Sequence, residues 1–557
     1  MTCASFHVTC QHNRTPGMMG FVARRMPIAT RQPCCSLLLL LVVFAEVVSG
    51  FRPYRFKDLL NPPEVSTEGV AELQGADTEV VIDFLEQPLD HFDDRRSKRV
   101  NASLMQQFFY SGRHVNSTAN LPTYAFLCVG GEGPALSVRV LINSVHCSGD
   151  MLELAKKLST RANIHIFALE HRYYGLSYPK FFDAQGNRVP ALATENLVYL
   201  SSRQALADLA HFVQTRDLPA DTKWVTFGGS YPGFLAAMAR QSYPALIHAA
   251  VSSSAPMHIL LDFAGYKERQ AWDLQYDAIG GGSECLKIVL DGHAELIHAM
   301  DTNHTYVAEL FQACNSSTFL EMRNVQVFLG DGVIDIPAQS NDPSCSKPLC
   351  NLEKVCDYLV ASKNEGNSPI ESLAHLSNEQ QTTMCNDVDW RSFLNQMSST
   401  NIEKEHWRSW VWQTCTEFGY YQTCEEDSLC PFGRGLHTIE MDFEICRVAY
   451  NLTQNDVVQN IATTVDWYGD IRKRATRVLS VNGDVDPWSV LAILNSNDPL
   501  MPAHIVKGAS HHFWTHAPTE SDNQEVRDAR DIIHLKVMEW LEQPRESITM
   551  QDMSATD

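Results

Sequence analysis

The sequence predicts an α/β protein in which a mostly parallel, doubly wound sheet is interrupted by a second, largely helical segment. Short apolar runs alternate with segments of helical periodicity up to residue 256. The alternation stops over residues 257–455, which are polar and rich in cysteine, and it resumes over residues 456–545. Continuous apolar runs are typical of strands buried on both faces, and their alternation with helices indicates parallel pairing.

The first 50 residues have the pattern of an export signal. An apolar run at residues 36–48 follows several arginines, and Ser49 and Gly50 after it suit cleavage. Because Glu46 interrupts the run and the run is short for a membrane span, we predict a cleaved signal peptide over residues 1–50, with an uncleaved anchor as the alternative. No stable membrane span is expected after cleavage. The predicted location is the secretory pathway, with a secreted or a lysosomal (vacuolar) destination.

Taken in order, the rest of the chain predicts an N-terminal arm at residues 51–79 and the first part of the α/β domain at residues 80–256. Strand-like runs occupy residues 79–84, 105–110, 123–129, 165–169, 223–227 and 245–251, and helical spacing occupies residues 201–215 and 234–240. The second part is predicted at residues 456–545. Its strands lie at 477–481 and 504–506, an amphipathic helix covers 525–541, and a tail follows at 546–557.

The cysteines predict disulfides in the inserted segment. Four of the sixteen cysteines precede residue 36, Cys128 and Cys147 lie in the first part, and the other ten crowd into residues 285–446. An even number of irregularly spaced cysteines in an exported chain is typical of disulfides. Because the sequence has no repeated Cys-x-x-Cys pair, a zinc site is not predicted. Five sequons predict surface glycosylation, at Asn101, Asn116, Asn303, Asn315 and Asn451.

A candidate nucleophile lies where one predicted strand ends and a helix begins. The stretch Trp-Val-Thr-Phe-Gly-Gly-Ser-Tyr-Pro-Gly-Phe at residues 224–234 has the composition of a nucleophile elbow, with Ser230 on a sharp strand-to-helix turn. The N-terminus of the helix would face the substrate group that the serine attacks. The pattern is Gly-x-Ser-x-Pro-Gly rather than Gly-x-Ser-x-Gly, and an ordinary glycine-rich turn is the alternative.

The second part of the chain contains an acid and a base in the order that this elbow requires. Asp484 and Asp486 lie in a turn after one predicted strand, and His511 and His512 follow the next strand. The order Ser, Asp, His is that of α/β-hydrolases. A neutral imidazole accepts the serine proton, and a carboxylate holds its tautomer and stabilises the imidazolium. These residues alone do not separate the two acids, either of which could be a turn former, nor the two histidines.

Six motifs resemble one family. They are Gly-Gly-Glu-Gly-Pro at 130–134, Glu-His-Arg-Tyr-Tyr-Gly at 170–175, Gln-Ala-Leu-Ala-Asp at 204–208, Gly-Gly-Ser-Tyr-Pro-Gly at 228–233, Gln-Thr-Cys-Thr-Glu-Phe-Gly at 413–419 and Asn-Gly-Asp-Val-Asp-Pro-Trp at 482–488. The chain is similar to the prolylcarboxypeptidase, dipeptidyl peptidase II and thymus-specific serine protease family, most of all to the thymus-specific branch. The resemblance implies an α/β-hydrolase fold with a large, mostly helical, disulfide-rich cap inserted between the nucleophile and the acid.

The resemblance also implies roles for individual residues. Ser230 would be the nucleophile, Asp486 the orienting carboxylate and His511 the base. The N–H groups of Tyr231 and Gly131 would hold the oxyanion. The glycine loop lacks the Gly-Lys-Ser/Thr ending of a phosphate cradle. The expected substrate-binding residues are Glu132, Trp488 and Trp514, with core packing as the alternative for the two tryptophans.

The implied activity is that of a serine-type exopeptidase, a carboxypeptidase or a dipeptidyl peptidase, which cleaves short peptides after proline without a cofactor. One motif departs from the family: residues 511–516 read His-His-Phe-Trp-Thr-His, where carboxypeptidase and dipeptidyl peptidase members have His-His-Leu-Asp-Leu-Arg. This puts carboxylate recognition and strict proline preference in question. An esterase or lipase on the same fold, and a non-catalytic binding protein, are the alternatives.

Peptide substrates are the expected partners, with a homodimer as a further expectation. The net charge of −22 argues against nucleic acid, because a protein that binds nucleic acid should present a basic face. His512 and His516 have the spacing of metal ligands on a helix, but no carboxylate accompanies them. No metal site is therefore predicted.

Overall fold

Ten β-strands form one mixed sheet in the computed structural model, which describes residues 79–93, 100–116, 118–402, 407–470 and 475–545. These residues belong to one unit, Val48–Asp557. The predicted signal peptide, the arm up to residue 78 and the tail from residue 546 lie outside the described residues. The strands, including a separate pair formed by β9 and β10, are β1 Val80–Gln87, β2 Ala102–His114, β3 Thr123–Val129, β4 Asn163–Leu169, β5 Lys180–Phe182, β6 Arg188–Val189, β7 Lys223–Gly229, β8 Ile247–Ser253, β9 Leu260–Asp262, β10 Gly419–Tyr421, β11 Val478–Gly483 and β12 Ala503–Val506.

The order of the strands across the sheet is β12-β11-β8-β7-β3-β4-β2-β5-β6, and β1 pairs with β2. Neighbours from β12 to β4 are parallel, whereas β2 is antiparallel to β4, to β1 and to β5. The predicted parallel sheet is confirmed, with an antiparallel margin. This strand order, with the elbow strand β7 in the interior of the sheet, is that of the α/β-hydrolase fold.

Helices cover both faces of the sheet. The described α-helices are α1 Glu153–Leu158, α2 Thr194–Leu197, α3 Ser202–Gln214, α4 Tyr231–Ser242, α5 Gly265–Leu274, α6 Ser283–Leu310, α7 Met322–Gly330, α8 Leu352–Asn364, α9 Pro369–Glu379, α10 Trp390–Met397, α11 Trp407–Gln413, α12 Ile439–Tyr450, α13 Gln454–Tyr468 and α14 Gln524–Glu542. Alternate residues of a strand face opposite sides, so Trp224 of β7 joins one core with α3 and α4, and Val225 joins another with α1 and α14.

The insert, which we define as the chain between β8 and β11, is mostly helical, and its buried apolar side chains form a third core together with residues of the α/β part such as Tyr173 and Leu197. It forms the disulfide-rich cap of the fold. Five of the six disulfides lie in it, and the sixth, Cys128–Cys147, lies in the α/β part. The predicted boundary at residues 455 and 456 falls inside α13, and the chain rejoins the sheet at Val478. The five disulfides of the insert are Cys285–Cys356, Cys314–Cys385, Cys345–Cys350, Cys415–Cys446 and Cys424–Cys430.

The predicted glycosylation sites lie on the surface of the described structure. Each of the five sequon asparagines is exposed, so glycosylation at these positions stays a prediction that the surface allows. Within the described ranges, no helix combines the length and the apolarity that crossing a bilayer requires.

Candidate active site

Ser230 lies on the turn between β7 and α4, with φ 63° and ψ −134°. A positive φ is uncommon for a residue other than glycine and is characteristic of a nucleophile elbow. The turn is tight: a Cβ atom on Gly228 would lie 2.3 Å from the carbonyl oxygen of Pro232. The N–H of Ser230 donates to the carbonyl oxygen of Ser253 at the end of β8, at 2.9 Å. The sequence around Ser230 therefore folds into the predicted elbow.

Asp486 and His511 form a buried hydrogen-bonded pair. His511 Nδ1 lies 2.7 Å from Asp486 Oδ2, and Asp486 Oδ1 accepts the backbone N–H of Trp488 at 2.9 Å. A carboxylate oxygen only accepts, so Nδ1 of His511 carries a proton, and Nε2 is the ring nitrogen left to act as a base. Nε2 is buried and has no hydrogen-bond partner among the described residues. The imidazole thus has the tautomer that a general base needs.

The neighbouring acid and histidine have other partners. Asp484 Oδ1 accepts the backbone N–H of Gly508, which ties the two loops together. The backbone N–H of His512 donates to Ser254 Oγ at 2.8 Å. The ring of His512 packs on Gly229, where an added Cβ would lie 2.8 Å from its Cγ. This contact brings the histidine loop against the residue that precedes Ser230.

The glycine loop after β3 lies against the elbow. A Cβ atom on Gly131 would lie 2.4 Å from Pro232 Cγ, so only glycine allows this approach. Tyr231 is the first residue of α4, and the first N–H groups of a helix have no acceptor within it. The two backbone segments expected to hold an oxyanion are therefore adjacent.

Glu132, the next residue of that loop, is half-buried. Its Oε2 is shielded from solvent and has no hydrogen-bond partner in the described structure. Burial raises the pKa of Glu132 to about 7, because desolvation disfavours the charged form. The side chain is thus an uncompensated acid beside the predicted oxyanion site.

Buried histidines surround His511. Burial lowers the pKa of His146 to about 4 and that of His516 to about 3, and it also lowers the pKa of His512. The ring of His512 is centred 4.6 Å from that of His511. These neighbours stay neutral near pH 7, so they add no positive charge beside the candidate base. Among the described residues, no group of three or more His, Cys, Asp and Glu side chains is arranged to hold a metal ion.

The two tryptophans expected at the substrate site lie in different environments. Trp488 lines a cavity together with Trp410, Tyr420 and the Cys415–Cys446 disulfide. Trp514 has no exposed surface and packs in the core on the α14 face, where its Nε1 donates to Ser253 Oγ at 3.0 Å. A substrate cannot reach it there, so this position favours the core role for Trp514.

A polar network behind the elbow was not predicted from the sequence. The hydroxyl of Tyr231 lies 2.9 Å from Gln413 Nε2 and 3.0 Å from His171 Nε2. Tyr174 OH donates to Gln413 Oε1 at 2.6 Å, and Gln413 also contacts Glu417. These residues belong to the motifs at 170–175 and 413–419, which the sequence marks without assigning a role. The network fixes the ring of the residue that follows Ser230.

Comparison with known proteins identifies the family to which this chain belongs. The model of the family described as serine carboxypeptidase S28 matches residues 87–533. The chain belongs to this family. This chain is 31% identical over 480 residues to the thymus-specific serine protease of Mus musculus. The aligned residues cover 83% of this chain and 88% of the relative.

The identity to the Homo sapiens protein of the same name is 30% over 490 residues, or 84% of this chain and 88% of the relative. The lysosomal Pro-X carboxypeptidase of Bos taurus is 22% identical to this chain over 540 residues, which cover 91% of this chain and 97% of the relative. The resemblance inferred from the motifs is thus confirmed, and the protein is a serine peptidase.

Proposed function

We propose that this chain is an exported serine exopeptidase that trims short peptides after proline, with Ser230, Asp486 and His511 as its catalytic triad. The observation that carries the proposal is the Asp486–His511 bond of 2.7 Å, with Nε2 of the same ring unpartnered in a loop packed against the elbow. Catalytic hydrogen bonds to the nucleophile often tighten only when substrate binds. Nε2 is therefore the acceptor available to the Ser230 hydroxyl.

In the proposed reaction, Ser230 Oγ attacks the carbonyl carbon of the scissile bond while Nε2 of His511 takes the hydroxyl proton. The backbone N–H groups of Tyr231 and Gly131 hold the oxyanion, and each such donor contributes on the order of 10²–10³ in kcat. His511 then protonates the leaving amine, which departs and leaves an acyl-enzyme on Ser230. Water, deprotonated by the same ring, hydrolyses that ester and regenerates the serine.

The aromatic cavity supports a preference for proline. Its walls include Trp410, Tyr420 and Trp488, and Trp488 lies two residues after the acid Asp486. A compact, apolar pyrrolidine ring suits such a wall, because aromatic rings bury large apolar areas. Glu132, with its unpartnered carboxyl oxygen, is the polar group proposed to contact substrate beside the oxyanion site.

The disulfides support an oxidising location. The six disulfides that the described residues form are typical of secreted and lumenal proteins. Relatives include a probable extracellular serine carboxypeptidase of Arthroderma benhamiae and the lysosomal Pro-X carboxypeptidase of Bos taurus. We therefore propose that the protein is secreted or lysosomal.

A peptide-library digest of purified wild type and Ser230→Ala, read by mass spectrometry between pH 4 and pH 8, tests the proposal. We expect wild type to release residues from one chain end after proline. We expect Ser230→Ala to lose at least about 10⁴-fold in kcat, as when triad members of serine peptidases are removed. Ser521→Ala, which changes an exposed serine remote from the elbow in sequence, is the matched control and should cleave like wild type.

Full peptidase activity in Ser230→Ala would overturn the proposed triad. Hydrolysis of acyl esters without any peptide cleavage would instead favour an esterase on the same fold. Cleavage without regard to proline would keep the triad and overturn the proposed specificity, and the end that is trimmed assigns the chain as a carboxypeptidase or a dipeptidyl peptidase.

A further inference from the structure

Four hydrogen bonds close a ring between the insert and the two loops that carry Asp486 and His511. Gln339, which follows α7 in the insert, accepts the backbone N–H of His511 with its carbonyl oxygen at 3.2 Å. His511 Nδ1 donates to Asp486 Oδ2, and Asp486 Oδ1 accepts the N–H of Trp488. The indole Nε1 of Trp488 donates back to Gln339 Oε1 at 2.9 Å.

The ring is buried throughout. Gln339, Trp488 and His511 are each 4% exposed, and Asp486 is 0% exposed. The hydroxyl of Tyr266 is a second donor to Gln339 Oε1, also at 2.9 Å. Because an indole nitrogen only donates, the amide oxygen of Gln339 must face it, and that oxygen has two lone pairs for two donors. Loss of this acceptor would leave the buried indole N–H of Trp488 unpaired, which costs about 1–3 kcal/mol.

We propose that Gln339 is a positioning residue that holds the Asp486–His511 pair in its reactive orientation from within the insert. The inference rests on the proposed function, because it takes Asp486 and His511 to be the acid and the base. The side chain of Gln339 fixes Trp488, whose N–H restrains one oxygen of Asp486, and its backbone restrains His511. A reacting group displaced by about 1 Å can cost on the order of 10²-fold in rate.

The test compares two glutamines of the insert. Gln339→Met keeps the length of the side chain but removes its acceptor. Gln380→Met is the matched control, because Gln380 makes two hydrogen bonds with the backbone of Asp335 within the insert and, as far as the structure describes the chain, none with the loops of Asp486 and His511. The readouts are kcat and KM for a short peptide, the rate at which a fluorophosphonate labels Ser230, and Tm.

We expect Gln339→Met to lower both kcat and the labelling rate by about 10- to 100-fold, with KM close to that of wild type. Gln380→Met should leave both rates at the wild-type level. Gln339→Glu retains an acceptor at the same reach, and it should recover part of the labelling rate. This variant also supplies the comparison with wild type if Gln339→Met does not fold.

Equal rates for Gln339→Met and Gln380→Met would overturn the inference. A Gln339→Glu variant that is folded but no faster than Gln339→Met would also overturn it, as would a loss of Tm without any loss of labelling rate. Activity that survives Ser230→Ala contradicts the proposed function itself. Inactive Ser230→Ala combined with a fully active Gln339→Met contradicts only the role of Gln339.

Discussion

The α/β part and the insert are stabilised in different ways. In the α/β part, strand ladders hold the backbone, two apolar cores cover the sheet faces, and one disulfide, Cys128–Cys147, is present. In the described insert, strand pairing is limited to β9 with β10 and one isolated bridge, and five disulfides link its helices and loops. A sheet brings strand ends together reproducibly, which suits reacting groups. A helical insert has few such ladders, so its shape rests on its apolar core together with covalent and ionic links.

The insert also contains a buried ionic cluster. Lys267 Nζ lies 2.8 Å from Asp331 Oδ1, and His437 Nδ1 lies 3.3 Å from the same oxygen. These contacts hold α5 and the end of α7 to the segment before α12. The difference between the two regions suggests a separation of roles: variants at the ends of the sheet strands should abolish chemistry, and variants within the insert, apart from those at Gln339, should first lower stability.

The largest expected effect is on chemistry in the α/β part. Asp486→Asn should lower kcat/KM by about 10⁴-fold, because an amide at this position favours the wrong tautomer of His511. Asp484→Asn is the control two residues away and keeps an acceptor for the N–H of Gly508. Steady-state kinetics with a fluorogenic peptide measures both. If the two variants lost activity equally, the assignment of Asp486 rather than Asp484 as the acid would be wrong.

The second effect is on the stability of the insert. Asp331→Asn should lower the free energy of unfolding by about 3 kcal/mol, because it leaves the buried Lys267 without its counter-charge. The activity of each folded molecule should stay at the wild-type level. Asp291→Asn breaks an exposed ion pair with Lys287 and should cost less than about 1 kcal/mol. Denaturant unfolding gives both values, and a loss of activity in folded Asp331→Asn would break the separation of roles.

The smallest effect lies where the two regions meet. Glu417 of the insert accepts the N–H of Ser202 at 2.8 Å and its hydroxyl at 2.6 Å, at the start of α3. Burial raises the pKa of Glu417 to about 7, above its unfolded value of about 4.3. Between these two values the folded chain holds a proton that the unfolded chain has lost. The contribution of Glu417 to stability is therefore complete below pH 4.3 and is lost as the pH rises through 7.

Glutamine cannot ionise, so Glu417→Gln should escape this loss. Relative to wild type, the variant should gain about 2 kcal/mol in the free energy of unfolding between pH 5 and pH 8. Other buried acids such as Asp150 are present in both proteins and cancel in the difference. Parallel stability curves over this pH range would show that Glu417 does not titrate there.

The sequence predicted the parts of the structure whose causes are local. The elbow needs glycine at positions 228 and 233 because backbone atoms lie against both residues, and such a requirement is visible in a short motif. The buried strands were found because apolar runs are continuous: the prediction at 123–129 coincides with β3, and that at 245–251 overlaps β8. The long antiparallel β2 was predicted over only six of its thirteen residues, since half of it is polar.

Features that depend on distant partners could not be predicted in this way. Ten cysteines allow many pairings, and sequence spacing does not choose among them. Gln339 lies in a polar loop with no local signal, and its partners Trp488 and His511 are far along the chain. The residues of the turn did not separate Asp486 from Asp484 either, because both acids lie in the same turn, and only the family resemblance pointed to Asp486.

The order of the chain has a consequence for biosynthesis. Ser230 is translated before the whole insert, whereas Asp486 and His511 follow β11 and β12, which join the sheet only after the insert has been made. A nascent chain therefore carries the proposed nucleophile for about half of its synthesis without both an acid and a base to activate it. Products truncated before β11 would be inert, so the synthesising cell is exposed to hydrolytic activity only from nearly complete molecules.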